Sequence, residues 1–353
     1  MLKISRMALL HNLSEIRKQV GANVRIAPVL KGNAYGHGLF EVSQAIKYST
    51  NVDYICLTDS HDIKKLRKWN NNTKVLLINP IQEEDIKFID RNTSVTIDSA
   101  EQINLLKQSS LEKINVHVLI NTGFNRFGCS HKSAINLINL IDRQSKFSLE
   151  GIWTHLSNPK NASFTNSQIE GLNKAVDIKQ MRHRGVLIHV AASEPIISHI
   201  KDLYFDLVRP GLLFYGMQTS ENLAIEQALT WESSIQRVIS VARGATIGYD
   251  QTTILRDSVL GIVPIGYSTG FPPRIKHPQI CIGERLVNVV GRIEMEYMRV
   301  DITDFSNPYK LMNSTVYIYE PKKRNIAQIN KTEKIILNEF TNNLDSGLLR
   351  QLE

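Results

Sequence analysis

The chain is short of the residues that staple small extracellular or metal-bound folds. Its 353 residues include three cysteines. Cys56, Cys129 and Cys281 are odd in number, lie far apart and lack metal-ligand spacing, which argues against a disulfide framework and against a metal site. Buried or idle thiols are expected. No stretch is long and apolar enough to span a bilayer, and the opening Met1-Leu2-Lys3-Ile4-Ser5-Arg6 lacks the apolar core of a signal peptide, so no membrane contact and a cytoplasmic location are expected. A basic arm is missing too. The formal charge of +8 comes from 42 Lys and Arg against 34 Asp and Glu, but these are scattered, and the longest cluster, Lys322-Lys323-Arg324, follows Pro321 as in a turn. Scattered charge gives no continuous footprint for nucleic acid, whereas the same surplus suits anionic cofactors and substrates.

With 42% hydrophobic and 22% charged residues the chain can bury a substantial core, and its length suits two domains. To about residue 220, short apolar or β-branched runs alternate with segments of helical period. The runs are Val24–Leu30, Asp53–Leu57, Lys74–Ile78, Ser94–Ile97, Asn115–Ile120, Leu149–Thr154, Val186–Val190 and Phe205–Val208. Between them lie amphipathic segments such as Leu39–Ser49, Ser60–Trp69, Ser99–Ser109, Ser130–Gln144 and Thr165–Arg184, several opened by Ser or Thr at an N-cap. Repeated βα units of this number predict an α/β fold, a (β/α)8 barrel over 1–228; a doubly wound sheet would use fewer strands in one domain. Beyond it, Ser233–Val241, Val259–Ile265, Gln279–Ile282, Leu286–Val290, Met298–Ile302 and Thr315–Tyr319 are apolar runs parted by turn residues, which predicts a smaller, mainly β domain over 229–353.

In such a barrel the loops after the strands carry function. Lys31 ends the first run and begins Lys31-Gly32-Asn33-Ala34-Tyr35-Gly36-His37-Gly38. Arg126 follows the fifth, His155 ends the sixth, His189 lies in the seventh with Ser193 just beyond, and Arg209 ends the eighth. Each alone has a bland reading: a lysine before glycines is usually a surface turn residue, and a lone histidine is usually a hydrogen-bonded core residue. The glycines fit neither a dinucleotide loop, which needs a third, nor a phosphate loop, whose lysine follows them. Joint placement at successive strand ends favours function, because Lys, Arg and His at one mouth make a cationic pocket for phosphate and carboxylate. A lysine in such a pocket can lose its proton and form a Schiff base, with pyridoxal phosphate the natural aldehyde. A phosphate commonly sits at the loops after strands seven and eight, where Ser193 and Pro210-Gly211-Leu212 lie.

Five longer stretches extend this picture: Val29-Leu30-Lys31-Gly32-Asn33-Ala34-Tyr35-Gly36-His37-Gly38, Asn121-Thr122-Gly123-Phe124-Asn125-Arg126-Phe127-Gly128, Val208-Arg209-Pro210-Gly211-Leu212-Leu213-Phe214-Tyr215-Gly216, Ile265-Gly266-Tyr267-Ser268-Thr269-Gly270 and Val290-Gly291-Arg292-Ile293-Glu294-Met295. In this order and spacing the chain resembles the fold-type III pyridoxal-phosphate enzymes, and specifically the alanine racemases. The resemblance implies racemisation of a small amino acid, L-alanine to D-alanine, by two bases on opposite faces. It implies that Lys31 carries pyridoxal 5'-phosphate and acts as one base. Tyr267, supplied by the β domain of the partner in a homodimer with shared sites, is the other. Arg209 is placed by it against the pyridine nitrogen with His189 behind, and His155 beside Tyr267. Tyr35, Ser193, Gly211 and Leu212 are assigned to the phosphate, Arg126 and the backbone at Met295 to the substrate carboxylate, and Arg292 to the approach.

The chain also departs from the family pattern. Leu119 stands where many members carry a carbamylated lysine that holds the arginine corresponding to Arg126. Ala192 replaces an Asn, Thr269 an Asp, and Glu294-Met295-Glu296 a Cys-Met-Asp. Thr332-Glu333-Lys334-Ile335-Ile336-Leu337 stands for a motif whose Tyr contacts phosphate and walls in the substrate methyl. Ile335 there predicts weaker cofactor retention and a roomier pocket, unless another residue such as Tyr319 supplies the contact. The alternatives are a broader amino-acid (serine) racemase and, outside the family, a phosphate-binding barrel enzyme that does not use pyridoxal phosphate.

Overall fold

The computed structural model describes residues 1–218, 221–320 and 337–353, without the side chain at 337. Contacts divide the chain into two compact units. One comprises Leu9–Ala34 with Ser43–Ile225, the other Met1–Ala8, Tyr35–Val42 and Glu226–Glu353. The partition is therefore not a single cut. The chain opens with β1 (Leu2–Ile4), whose pairing partners are C-terminal strands.

The first unit contains β2 (Arg25–Ile26), β3 (Ile55–Leu57), β4 (Val75–Pro80), β5 (Thr93–Ile97), β6 (Ile114–Leu119), β7 (Phe147–Trp153), β8 (Leu187–His189) and β9 (Leu207–Val208). β3 to β8 form a parallel sheet in chain order, and β2 pairs with β9 in parallel. Two seams join these pieces into a closed ring. Val29 bridges Cys56, with Cys56 N donating to Pro28 O and Leu30 N to Cys56 O, both at 2.9 Å. At the other seam Asp206 N donates to Ile188 O at 3.0 Å and Arg209 N to Ala191 O at 2.9 Å. The eight apolar runs thus become the eight staves of a (β/α)8 barrel. Val24–Leu30 yields only two ladder residues with β9: Val29 N still donates to Pro210 O at 2.9 Å, but Pro210 has no N–H to return a bond.

Helices cover the staves, and their caps are short polar side chains. Asp59 opens Ser60–Arg67, Ser130 opens His131–Asp142 and Asn161 opens Ala162–Ala175. The expected single helix over Thr165–Arg184 is two, Ala162–Ala175 and Ile178–His183. Val176 leaves the helix in extended geometry, and Asp177 accepts from Gln180 N to start the next. Buried Val95, Ile97, Val116, Val118, Ile152 and Ile188 belong to one continuous apolar core.

The second unit holds β10 (Leu229–Ser234), β11 (Arg237–Val241), β12 (Thr246–Ile247), β13 (Thr252–Thr253), β14 (Ser258–Val263), β15 (Gln279–Ile282), β16 (Arg285–Asn288), β17 (Met298–Asp301), β18 (Thr315–Tyr319) and β19 (Arg350–Leu352), with a helix over Leu337–Asn342. Its sheets run β16-β15-β18-β10-β1-β19, β11-β14-β17 and β12-β13. The run Ser233–Val241, expected as one strand, feeds two sheets, because Ile235 N turns to Ser314 O and Gln236 N to Ile262 O. Trp231 packs against Phe340 and Phe271 at 5.8 and 6.4 Å between ring centroids.

The seams rest on carboxylates where the ladders are too short. Asp53 Oδ2 accepts from Ile26 N, and Asp206 Oδ2 from Ile188 N, both at 2.9 Å, while Asp206 Oδ1 also pairs with Arg182. Ile188 is fully buried, so Asp206→Ala leaves its N–H without a partner and removes a charge-assisted bond. The expected cost is about 2–3 kcal/mol. Urea unfolding of the variant should show a lower midpoint with an unchanged slope; an unchanged midpoint would remove the seam from this role.

Candidate active site

Lys31 follows the first stave and starts a left-handed run. Gly32, Asn33 and Ala34 have φ/ψ of 60/50°, 51/47° and 55/51°, and Tyr35 and Gly36 continue with φ of 53° and 82°. Left-handed geometry costs an L-residue roughly 1–2 kcal/mol, and strain of this kind collects at functional sites. In the second unit the turn after Tyr35 is pinned. A Cβ on Gly36 would lie 1.9 Å from Thr341 O, and Arg350 Nε donates to Gly36 O at 3.2 Å. Burial, and then the charge of Arg126, lowers the proton affinity of the Lys31 amine.

Arg209, 3% exposed, begins a buried hydrogen-bond chain. Its guanidinium lies over the Trp153 ring, 4.5 Å from the centroid, donates to Thr154 O at 3.1 Å and bonds His189 Nδ1. His189 Nε2 lies 2.9 Å from His117 Nδ1, and His117 Nε2 lies 3.1 Å from Glu150 Oε2. Tyr54 Oη donates to Glu150 Oε1 at 2.9 Å, and Ser94 Oγ donates to Oε2. The two ends set every proton between them. Arginine has no acceptor, so His189 Nδ1 must accept and Nε2 must carry the hydrogen. His117 Nδ1 then accepts in turn, and its Nε2–H donates to the carboxylate. Burial opposes the charge on Glu150, but the bonds it accepts from His117, Ser94 and Tyr54 hold its carboxyl below the usual carboxylate range. Burial pushes Arg209 down to about 10, which leaves it protonated at neutral pH, and burial together with Arg209 holds His189 well below the usual histidine range. Gly151 makes room for this chain: a Cβ there would lie 2.2 Å from His117 Nδ1.

The loops after β6 and β7 meet beside it. Asn121 Oδ1 accepts from Gly123 N at 3.0 Å and Asn125 N at 3.1 Å, and Asn125 takes φ of 57°, which asparagine tolerates. Buried Gln168 ties the two loops, donating to Thr122 Oγ1 and His155 O and accepting from Ser157 N. Burial, then the charges of Arg209, Arg126 and Lys31, lowers His155 to about 3. Every charge that acts on it is positive. Ser193 Oγ accepts from Gly211 N at 3.1 Å and Leu213 N at 3.2 Å, which joins the loops after β8 and β9.

The expected residues Lys31, Arg126, His155, His189, Ser193, Arg209, Gly211 and Leu212 thus share the first unit, at the ends of its staves. Tyr35, Tyr267, Arg292 and Met295 belong to the second. There Tyr267, 46% exposed, starts a tight turn whose Thr269 Oγ1 accepts from Gly266 N and donates to Gly266 O, so Thr269 closes the turn as a carboxylate acceptor could not. Met295 O accepts from Ser268 N and Oγ at 2.9 and 2.7 Å, which sets Met295 beside Tyr267. Arg292 pairs with Asp250 at 3.4 Å. Tyr319, the alternative source of a phosphate contact, is instead fully buried with its hydroxyl on Gln227. Ile335 and Lys322-Lys323-Arg324 lie outside the described residues. Phe124, Gln168, His117 and Glu150 were not singled out from sequence; the available signal for the last two was a titratable residue inside an apolar strand run.

The family model described as "Alanine racemase, N-terminal domain" matches residues 4–219, and "Alanine racemase, C-terminal domain" matches 228–351. The chain is 31% identical over 304 residues to an alanine racemase of Borreliella burgdorferi, covering 83% of this chain and 81% of that one. It is 27% identical over 338 residues to one of Streptococcus pyogenes serotype M6, covering 92% and 90%. A solved alanine racemase from Clostridium difficile 630 superposes with a TM-score of 0.91 at 26% identity, covering 100% of this chain and 95% of that one.

The site makes the fold acid-sensitive. His155 is about 3 when folded against an ordinary 6.5, so below about pH 6.5 the unfolded chain takes a proton that the folded chain refuses; Glu150, held below its ordinary 4.5, acts likewise once the pH falls under 4.5. Stability is expected to be full above pH 6.5 and to fall on acidification, by about 1.4 kcal/mol per pH unit for each such group. Urea midpoints measured from pH 7.5 to 4 check this; a flat profile would contradict it.

Proposed function

Because the chain belongs to the alanine racemase family, we propose that it interconverts L- and D-alanine using pyridoxal 5'-phosphate, with Lys31 and Tyr267 as the two bases. The observation that carries this reading is electrostatic: Lys31, Arg126 and Arg209 all bear on a neutral His155 with no carboxylate among the charges acting there. Such a donor set fits an anionic cofactor and an anionic substrate. When bound, pyridoxal phosphate supplies an electron sink that makes the Cα proton of an amino acid acidic.

Lys31 would hold the cofactor through its amine, whose lowered proton affinity suits both that bond and proton transfer at Cα. Ser193 and the Gly211–Leu213 backbone, at the loops after β8 and β9, would meet the phosphate, with Tyr35. Arg209 would face the pyridine nitrogen. The bond it donates to His189 Nδ1 and its charge make it a donor that keeps its proton, so the ring would gain no proton and transamination would be disfavoured. Arg126 and the backbone at Met295 would take the substrate carboxylate; Met295 N–H makes no hydrogen bond among the described residues. Arg292 would line the approach.

Lys31 and Tyr267 lie in different units, and the reading joins them in a homodimer in which Tyr267 of the partner subunit reaches the site. Exposed Tyr249, Tyr267, Met295 and Tyr297 support a partner-facing surface. His155, neutral at physiological pH, carries one ring N–H, and donating it to that phenol's oxygen would favour the phenolate. No helix among the described residues is long and apolar enough to cross a membrane, and the proposal puts the reaction in the cytoplasm.

Purified protein with pyridoxal phosphate is expected to convert L-alanine to a racemic mixture on chiral chromatography, and Lys31→Ala to convert none. In deuterated water Tyr267→Phe should still exchange the Cα hydrogen of D-alanine while sparing the L form, since each base reaches one face. Equal loss for both enantiomers would leave Tyr267 without a role as a base.

A further inference from the structure

Several arginines of the fold are held by carboxylates. Arg67 bonds Asp90, Arg256 bonds Asp301 and Asp304, and Arg299 bonds Glu294. Arg126 makes no hydrogen bond or ion pair among the described residues; its guanidinium carbon instead lies 4.7 Å from the centroid of Phe124 and 5.8 Å from that of Phe127. Leu119, at the end of β6, lines the same small cavity with Phe124, Phe127 and His155 and offers no charge.

We infer that Phe124 is a positioning residue for Arg126, an aromatic clamp that fixes the guanidinium by its flat face and leaves the N–H edges open for the substrate carboxylate. The inference rests on the reading of Arg126 as the carboxylate receptor. A ring attracts a cation through its quadrupole and accepts guanidinium stacking, but it consumes none of the five N–H donors. A protein carboxylate in that place would occupy two donors and cancel the charge that an anionic substrate needs. Phe124 is itself braced. Its ring meets His155 edge to face at 4.9 Å and 75°, and Asn121 fixes the backbone on either side of it through Gly123 N and Asn125 N. The clamp therefore links the loop after β6 to the loop after β7. The uncompensated charge of Arg126 is also the one that reaches Lys31 and lowers its proton affinity.

The test uses the holoenzyme with Phe124 replaced by pentafluorophenylalanine, which keeps the ring's shape and reverses the charge of its face, alongside Phe124→Tyr, Phe124→Leu and Arg126→Ala. An exposed cation–π contact corresponds to a factor of about two to five in an equilibrium constant. Pentafluorophenylalanine and Leu are expected to raise KM for alanine about two- to fivefold with little change in kcat, and Tyr to keep the wild-type KM. In NMR spectra the Arg126 Nε–H signal, identified by its loss in Arg126→Ala, should be ring-current shifted in the wild type and lose that shift in Phe124→Leu. An unchanged KM with pentafluorophenylalanine, or an Arg126 signal indifferent to Phe124, overturns the clamp. Arg126→Ala with an unchanged KM overturns instead the assignment of Arg126 to the carboxylate, and the NMR shift still decides whether the ring holds the guanidinium.

Discussion

A guanidinium can give hydrogen bonds and cannot take one, and Arg209 is buried at the end of the last stave with that restriction. Everything behind it follows. His189 must present a bare Nδ1, His117 must do the same one step further in, and Glu150 must be an anion to end the series. The Trp153 ring and the carbonyls of Thr154 and Val190 also meet the cation. The barrel interior, normally packed with branched apolar side chains, gives up part of its middle to this polar chain, and Gly151 exists where a side chain would collide with it. A buried polar network of this kind stabilises only when each member is satisfied, and here the donor-only and acceptor-only ends make one arrangement of protons possible.

The mouth of the barrel carries the opposite imbalance. Burial and then the charges of Arg209, Arg126 and Lys31 bear on His155, with no carboxylate among the charges that act on it from the described residues. The fold tolerates this because Arg126 rests on aromatic rings and Arg209 on carbonyls, a ring and an imidazole, none of which cancels charge. Acid sensitivity and strain in the left-handed run after Lys31 are the costs of keeping the site ready for anions.

Much of this was legible in the sequence. β-branched runs separated by helical segments are read directly as staves, and reactive residues at their ends are legible because a parallel barrel places all such ends at one mouth. Less legible was anything set by a distant partner. Pro210 cuts the ladder of the first stave with the last to two residues, Asp177 restarts a helix inside Thr165–Arg184, and Ile235 and Gln236 send one apolar run into two sheets. β1 reads as the start of the barrel by position, yet it pairs with β10 and β19. His117 and Glu150 each looked like an isolated polar residue in a strand, and only the packing of β6 against β7 and of β7 against β8 makes them partners of His189. Phe124 carries no signal of its own in the sequence, because its role depends on the loop that lays the Arg126 guanidinium over its ring.

The central claim is that Arg209 acts as a pure donor and dictates the protons of the chain behind it. Nitrogen-15 NMR of the histidine side chains, assigned through His117 and His189 variants, tests it directly. The account predicts that at neutral pH both rings are neutral, with hydrogen on Nε2 and a bare, hydrogen-bonded Nδ1. A His189 ring carrying hydrogen on Nδ1, or a doubly protonated His117, would contradict it.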